Sequence, residues 1–251
     1  MSMASLHVVT YNIHKGFSPF NRRMVLHELR EQLRGIAPDI VFLQEVQGAH
    51  GSHAERHADW PAESQAEFLA DSIWQDYAYG KNAVYPEGHH GNAILSRFPI
   101  ISWQNIDVSA HRFEQRGMLH CVIDMPDQEK PLHCICVHMG LFAKGRRKQV
   151  HALRDHVRHQ VPADEPLIIA GDFNDWRAEA CHVLKRELHL KEAFEQMHGK
   201  PARSYPSSMP VLHLDRIYTR GLNVTSAHVH AGQPWSKISD HAPLSAVLSF
   251  P

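Results

Sequence analysis

Leu167-Ile168-Ile169-Ala170-Gly171-Asp172-Phe173-Asn174 decides how the chain is read. A short run that is apolar on both faces reads as a buried strand, and it stops at a glycine and an acid. Asp172 and Asn174 are two apart, so in an extended segment they point to the same side. Gly171 allows close backbone approach just before them. A carboxylate at a strand mouth is costly to desolvate unless it is paired or bound to a metal.

The same pattern recurs along the chain. The apolar run 6–11 ends in Asn12, 40–43 in Gln44-Glu45, and 132–137 in His138, while 243–250 is preceded by Ser239-Asp240-His241. Asp215 interrupts the alternating run Leu212–Tyr218 and needs a partner there, for which His241 is the candidate. A carboxylate–imidazole pair fixes the tautomer and raises the basicity of the outward nitrogen. Several such mouths meeting in one place make an electronegative pocket suited to Mg²⁺, which prefers oxygen ligands and keeps waters.

Further strand-like runs at 93–95 and 119–123 outnumber the helical stripes about two to one. Those stripes are Val25/Leu29/Leu33/Ile36, Ala66/Leu69/Ala70/Ile73, Val150/Leu153/Val157 and Ala180/Val183/Leu184/Leu188. A Rossmann or barrel chain would alternate the two evenly. Short turns between strands predict antiparallel-rich sheets packed face to face with helices outside. Residues 47–65 and the proline-bearing stretch 198–210 read as loops, where specificity usually resides.

With 251 residues, 43% of them hydrophobic, the chain can bury one large core, and residues 1–251 are expected to form a single domain. A formal net charge of −1 lacks the basic surplus of a dedicated duplex-DNA binder. The 22 histidines predict a steep rise in charge below about pH 6.5. Cys121, Cys134, Cys136 and Cys181 form no C-x-x-C pair and read as reduced core thiols, hence a reducing compartment. No window is long and apolar enough for a transmembrane helix. No basic leader precedes the first run. The expectation is a cytoplasmic monomer.

The motifs Tyr11-Asn12-Ile13-His14-Lys15-Gly16, Gln44-Glu45-Val46, Gly91-Asn92-Ala93-Ile94-Leu95-Ser96-Arg97, His138-Met139-Gly140, Gly171-Asp172-Phe173-Asn174, Asp215-Arg216-Ile217 and Ser239-Asp240-His241-Ala242-Pro243-Leu244 occur in this order. Together they resemble the signature set of the endonuclease/exonuclease/phosphatase superfamily, across residues 7–248. The resemblance implies an α+β fold: a four-layer α/β/β/α, DNase-I-like sandwich of two mixed, largely antiparallel sheets. It implies Mg²⁺ as cofactor, with Mn²⁺ able to substitute, and a phosphate-ester substrate. Glu45 is then the principal metal carboxylate, with Asn12 and Asp240 in the metal and water network. Asp172 and Asn174 position the attacking water and the phosphate. His241, held by Asp215, contacts the phosphate or acts as general base. His138 donates to a phosphate oxygen or protonates the leaving group, and Arg116 contacts phosphate. His14 and Gln47 replace residues typical of AP endonucleases, and His138-Met139-Gly140 is more similar to the DNase-I and sphingomyelinase branches.

Each residue also has a plainer reading: Asp172 as a cap, Asn12 as a turn residue, Glu45 as an exposed charge, Asp215 as a salt-bridge partner of Arg216 or Arg116. It is their joint order that points to chemistry. Lys144–Lys148 reads as a solvated or phosphate-binding helix start. His89-His90 with His50, His53 and His57 reads as solvated loop histidines or an accessory metal site. Among the tryptophans Trp60, Trp103, Trp176 and Trp235, positions 176 and 235 are best placed to stack on a base or sugar. The leading function is phosphodiester hydrolysis by in-line water attack, on nucleic acid or nucleotides. The alternative is a phosphatase or phospholipase-type hydrolase of a phosphorylated small molecule or lipid headgroup. A non-catalytic binding module on the same fold ranks last, because every expected side chain is present.

Overall fold

The computed structural model describes residues 5–50, 60–71, 73–85, 88–111 and 114–251. Two six-stranded sheets run β11-β12-β1-β2-β4-β3 and β5-β6-β7-β8-β10-β9. The first contains β1 (Ser5–Asn12), β2 (Ile40–His50), β3 (Asp76–Tyr85), β4 (Gly88–Ser96), β11 (Asn223–Val229) and β12 (Leu244–Ser249). The second contains β5 (Ile100–Asp107), β6 (Gly117–Ile123), β7 (Leu132–His138), β8 (Leu167–Asp172), β9 (Lys191–Glu192) and β10 (Asp215–Arg220). Each sheet has one parallel pairing, β1 with β2 and β7 with β8; the others are antiparallel.

The central strands are apolar on both faces because both faces are covered. In β1, Val8 enters the core between the sheets while Val9 and Tyr11 face α1 (Leu26–Ile36) and α2 (Gln65–Ala70). In β7, Cys134 and Cys136 face inward while Ile135 and Val137 pack under α3 (Ala143–Gln160) and α4 (Glu179–Leu188). A fifth helix, α5 (Ala193–His198), follows β9. Helix, sheet, sheet, helix is the four-layer order expected. Cys121, Cys134 and Cys136 are buried free thiols, and the Cys181 side chain lies outside the described residues.

Register gathers the strand mouths on one rim. Asn12 lies level with Gln44 across the parallel pair, and His138 level with Asp172. Asp215 opens β10 opposite Asp172, and Leu244 opens β12 opposite Thr10, which puts Asp240-His241 just above it.

Several boundaries differ from the sequence reading. The strand placed at 212–218 begins at Asp215, because Leu212 instead bridges Tyr205. Residues 47–50 are strand, with Gln47 paired to His90 and its amide donating to Gln65 Oε1 at 2.9 Å. His89 and His90 are likewise on β4 and not in a loop. His53 and His57, and the side chain of His50, lie outside the described residues.

Candidate active site

Glu45 occupies a break in the β2–β4 register between Leu43 and Val46, with a left-handed backbone at φ 57°. Such a bulge re-aims a side chain out of the alternation, and bulges cluster beside active sites. Gly171 has φ +147°, and a Cβ there would stand 2.0 Å from the Val137 carbonyl oxygen. Only glycine lets β7 and β8 approach so closely at this point. Asn174 is also left-handed, at φ 49°. Asp172 and Asn174 therefore do not share an extended segment as their spacing predicted. They meet through a local turn in which the Asn174 N–H donates to Asp172 Oδ1 at 2.9 Å.

Asp172 Oδ2 is the hub of the rim. Asn12 Nδ2 lies 3.2 Å from it, His138 Nε2 3.6 Å and His241 Nε2 3.8 Å. The same Asn12 nitrogen is 3.4 Å from Glu45 Oε1, so one amide joins carboxylates of the two sheets. Its oxygen accepts from the His14 N–H at 3.1 Å, which fixes the amide's orientation. Asp215 Oδ2 pairs with His241 Nδ1 at 2.8 Å, the partner expected, whereas Arg216 turns to the Asp215 carbonyl oxygen. Ser239 Oγ donates to the Asn12 carbonyl at 2.7 Å and lies 3.4 Å from Asp240 Oδ1. Arg116 stands at the edge: its Nε donates to the Met139 carbonyl at 3.3 Å, the oxygen that also accepts Asn174 Nδ2 at 2.9 Å.

Charge states follow from these neighbours. Burial opposes a positive His241, but Asp215, Asp172 and Asp240 outweigh it and raise its pKa to about 10. Burial lifts Asp172 to about 6, with His241 opposing and Asp215 assisting. Burial also opposes charge on Glu45, yet His138, Lys15 and His14 bring it down to about 2. His138 is held to about 3 by burial and by Arg116, so it is neutral at pH 7 and Lys15 carries the attraction on Glu45 there.

Asp172, Asp215 and His241 present ligand atoms within 4.8 Å of one another. Within this cluster, His241 Nδ1 is already engaged by Asp215 at 2.8 Å, so an ion there would compete with that pairing. The Glu45 side fits a hard cation better. It offers an ionised, partly exposed carboxylate, with Lys15 Nζ at 3.9 Å and Asn12 Nδ2 at 3.4 Å as its neighbours.

The rim thus brings together Asn12, Glu45, His138, Asp172, Asn174, Asp215 and His241, with Asp240 and Arg116 flanking. Sequence reasoning gave no role to Lys15, Ser204 or Tyr205, and read His90 as a loop or accessory-metal histidine apart from this rim. His90 lies close enough to feel Lys15, Glu45 and Arg116. Ser204 Oγ accepts from the Asp215 N–H at 3.2 Å, and the Tyr205 ring lies 5.0 Å from that of His241. The proline-rich loop was the signal for these last two. Trp235, expected to stack on a ligand, is buried edge-on against Tyr11 at 5.6 Å and belongs to the core.

Comparison with known proteins agrees with this fold. The chain is 50% identical over 244 residues to YbhP, an uncharacterized protein of Escherichia coli, which covers 97% of this chain and 96% of YbhP. An endonuclease/exonuclease/phosphatase from Beutenbergia cavernae superposes with a TM-score of 0.78 at 20% identity, over 98% of this chain and 72% of that one. The human nocturnin catalytic domain, solved with bound sulfate, gives 0.76 at 18% identity over 98% and 94%. The D. rerio TDP2 complex with single-strand DNA product gives 0.71 at 16% identity over 98% and 99%. The strand-mouth residues derived above fall within residues 9–241, the span that matches the family description, and on that match the chain belongs to the endonuclease/exonuclease/phosphatase family.

Proposed function

We propose that the protein is a divalent-metal-dependent phosphodiesterase that hydrolyses its substrate by in-line attack of water. The observation that carries this reading is Asn12 Nδ2 reaching both Glu45 and Asp172 beside the Asp215–His241 pair. A cation-binding carboxylate, a buried acid and an imidazolium then share one rim. Glu45 would hold Mg²⁺ or Mn²⁺, with Asp240 and Asn12 in its water network. The ion when bound supplies positive charge beside the phosphoryl and leaving oxygens.

The chain's own residues supply the rest. Asp172, lifted toward neutrality and steadied by Asn12 and Asn174, takes the proton of the attacking water as oxygen bonds to phosphorus, and the leaving oxygen departs with the electron pair of the broken P–O bond and takes a proton from solvent water. His241, locked by Asp215, donates to a phosphoryl oxygen; its charge favours this role over that of a general base. His138 and Arg116 border the same oxygens.

The test is an activity panel with and without Mg²⁺ or Mn²⁺. It spans bis-p-nitrophenyl phosphate, single- and double-stranded DNA, RNA, inositol phosphates and phospholipids, with Glu45→Gln and His241→Ala as controls. Turnover of a diester that both chelation and the two substitutions abolish is expected. Turnover indifferent to all three would reject the reading.

A further inference from the structure

A buried arginine organises the two loops that leave the catalytic strands β7 and β8. Arg146, in the first turn of α3, is only 3% exposed. One guanidinium nitrogen donates to the Gly140 carbonyl at 3.3 Å and to the Leu141 carbonyl at 2.6 Å. These are the next two carbonyls after that of Met139, which Asn174 and Arg116 hold. The guanidinium carbon lies 4.9 Å above the Trp176 ring. A cation laid over an indole fixes the plane of the ring.

Trp176 is nevertheless 44% exposed. Its Cα is two residues from that of Asn174, at most about 7 Å along an extended chain, so Trp176 stands on the loop that leaves the rim. Leu141 and Phe142, on the facing loop, are also exposed. Around them lie Lys144, Lys148 and Arg177, all exposed. A fixed, open aromatic ring beside cations at a phosphate site matches the way bases and backbone are held together in single-stranded ligands. An acyl surface would have no use for a guanidinium-locked plane.

We propose that Trp176, held flat by Arg146, is a stacking platform that selects phosphodiesters bearing a nucleobase next to the scissile phosphate. This rests on the phosphodiesterase reading and narrows its substrate class. Two esters with the same leaving group test it: the p-nitrophenyl ester of thymidine 5′-phosphate and methyl p-nitrophenyl phosphate. Trp176→Ala should raise KM for the nucleoside ester about tenfold or more with kcat within about twofold, and leave the methyl ester unchanged. Trp176→Phe, which keeps a ring, should retain most of the affinity. Equal effects on both esters, or none on either, would overturn the platform.

A binding measurement separates this idea from the hydrolase reading. Thymidine oligonucleotides should quench tryptophan fluorescence of the chelated wild-type protein, and the quench should vanish in Trp176→Phe. Such a quench without turnover of any ester supports the platform and rejects only the hydrolase. An undiminished or absent quench, or loss in Trp176→Ala of binding to anionic phospholipid vesicles in its place, rejects the platform.

Discussion

Two regions of the molecule bond a carboxylate to an imidazole and continue from there in different ways. At the rim, Asp215 meets His241 at 2.8 Å. On the outer face of the second sheet, Glu165 meets His133 at 2.6 Å, His133 meets His120 at 2.8 Å, and His120 meets His156 on α3 at 2.9 Å. His241 has three carboxylates about it and is raised to about 10, whereas His120 is lowered to about 3 by burial and then by His156 and His133. Because His120 lies between two imidazoles, it must accept from one and donate to the other, which a neutral ring does. The neighbours set the charge: three carboxylates surround His241, whereas two imidazoles flank His120. One arrangement suits a phosphate; the other ties a helix to a sheet.

The largest expected break in this comparison comes from Asp215→Asn. It keeps the shape, removes the charge opposite His241, and should lower kcat by about a thousandfold or more, by analogy with triads stripped of their acid. Nuclear magnetic resonance titration of the chelated protein should show the His241 imidazolium surviving past pH 8 in the wild type and lost earlier in the variant. An unchanged titration would mean that Asp172 and Asp240 suffice. Next in size, Glu45→Gln should lower turnover by about a hundredfold or more and weaken the response to added Mg²⁺, as calorimetric metal titration would register.

The buried relay sharpens the comparison from the other side. Its folded pKa at His120 lies below the ordinary 6.5, so between about 3 and 6.5 the unfolded chain binds more protons. Stability is therefore intact above pH 6.5 and falls as pH drops toward 3. Denaturant midpoints at pH 7 and pH 5 should differ, and His120→Gln, which still donates and accepts, should flatten that slope. The smallest effect is at the active site: kcat of His120→Gln at pH 7 should stay within about twofold of wild type, because His133 of the relay sits at the end of β7 opposite His138. A large activity loss would mean the two regions communicate.

Much of the rim was legible because its polar residues end runs that are otherwise apolar. Asn12, Glu45, His138 and Asp172 could be placed at one edge from strand direction alone, and Asp215 demanded a partner. Edge strands were hard to see for the opposite reason. Trp103, Gln104 and Ile101 of β5 are exposed, and only Ala78 and Gly80 of β3 are buried, so no long buried face imposes a pattern there. The turn at Asn174 and the bulge at Glu45 are backbone events set by neighbouring strands, and local sequence does not announce them. Burial of Trp235 depends on Tyr11, more than two hundred positions away in the sequence.

Asn12 is more than a member of the rim. Its amide spans the seam between the layers, and Gln44 and Asn92 cross the same seam nearby, to Cys136 Sγ at 3.2 Å and to the Gly117 and Cys136 carbonyls at 3.0 and 3.3 Å. The gap between the carboxylate that would grip a cation and the acid that would receive a proton is thus a caliper whose jaws are whole sheets. Thinning the filling between them, for instance by truncating Phe42, should detune that gap without altering a single group at the mouth.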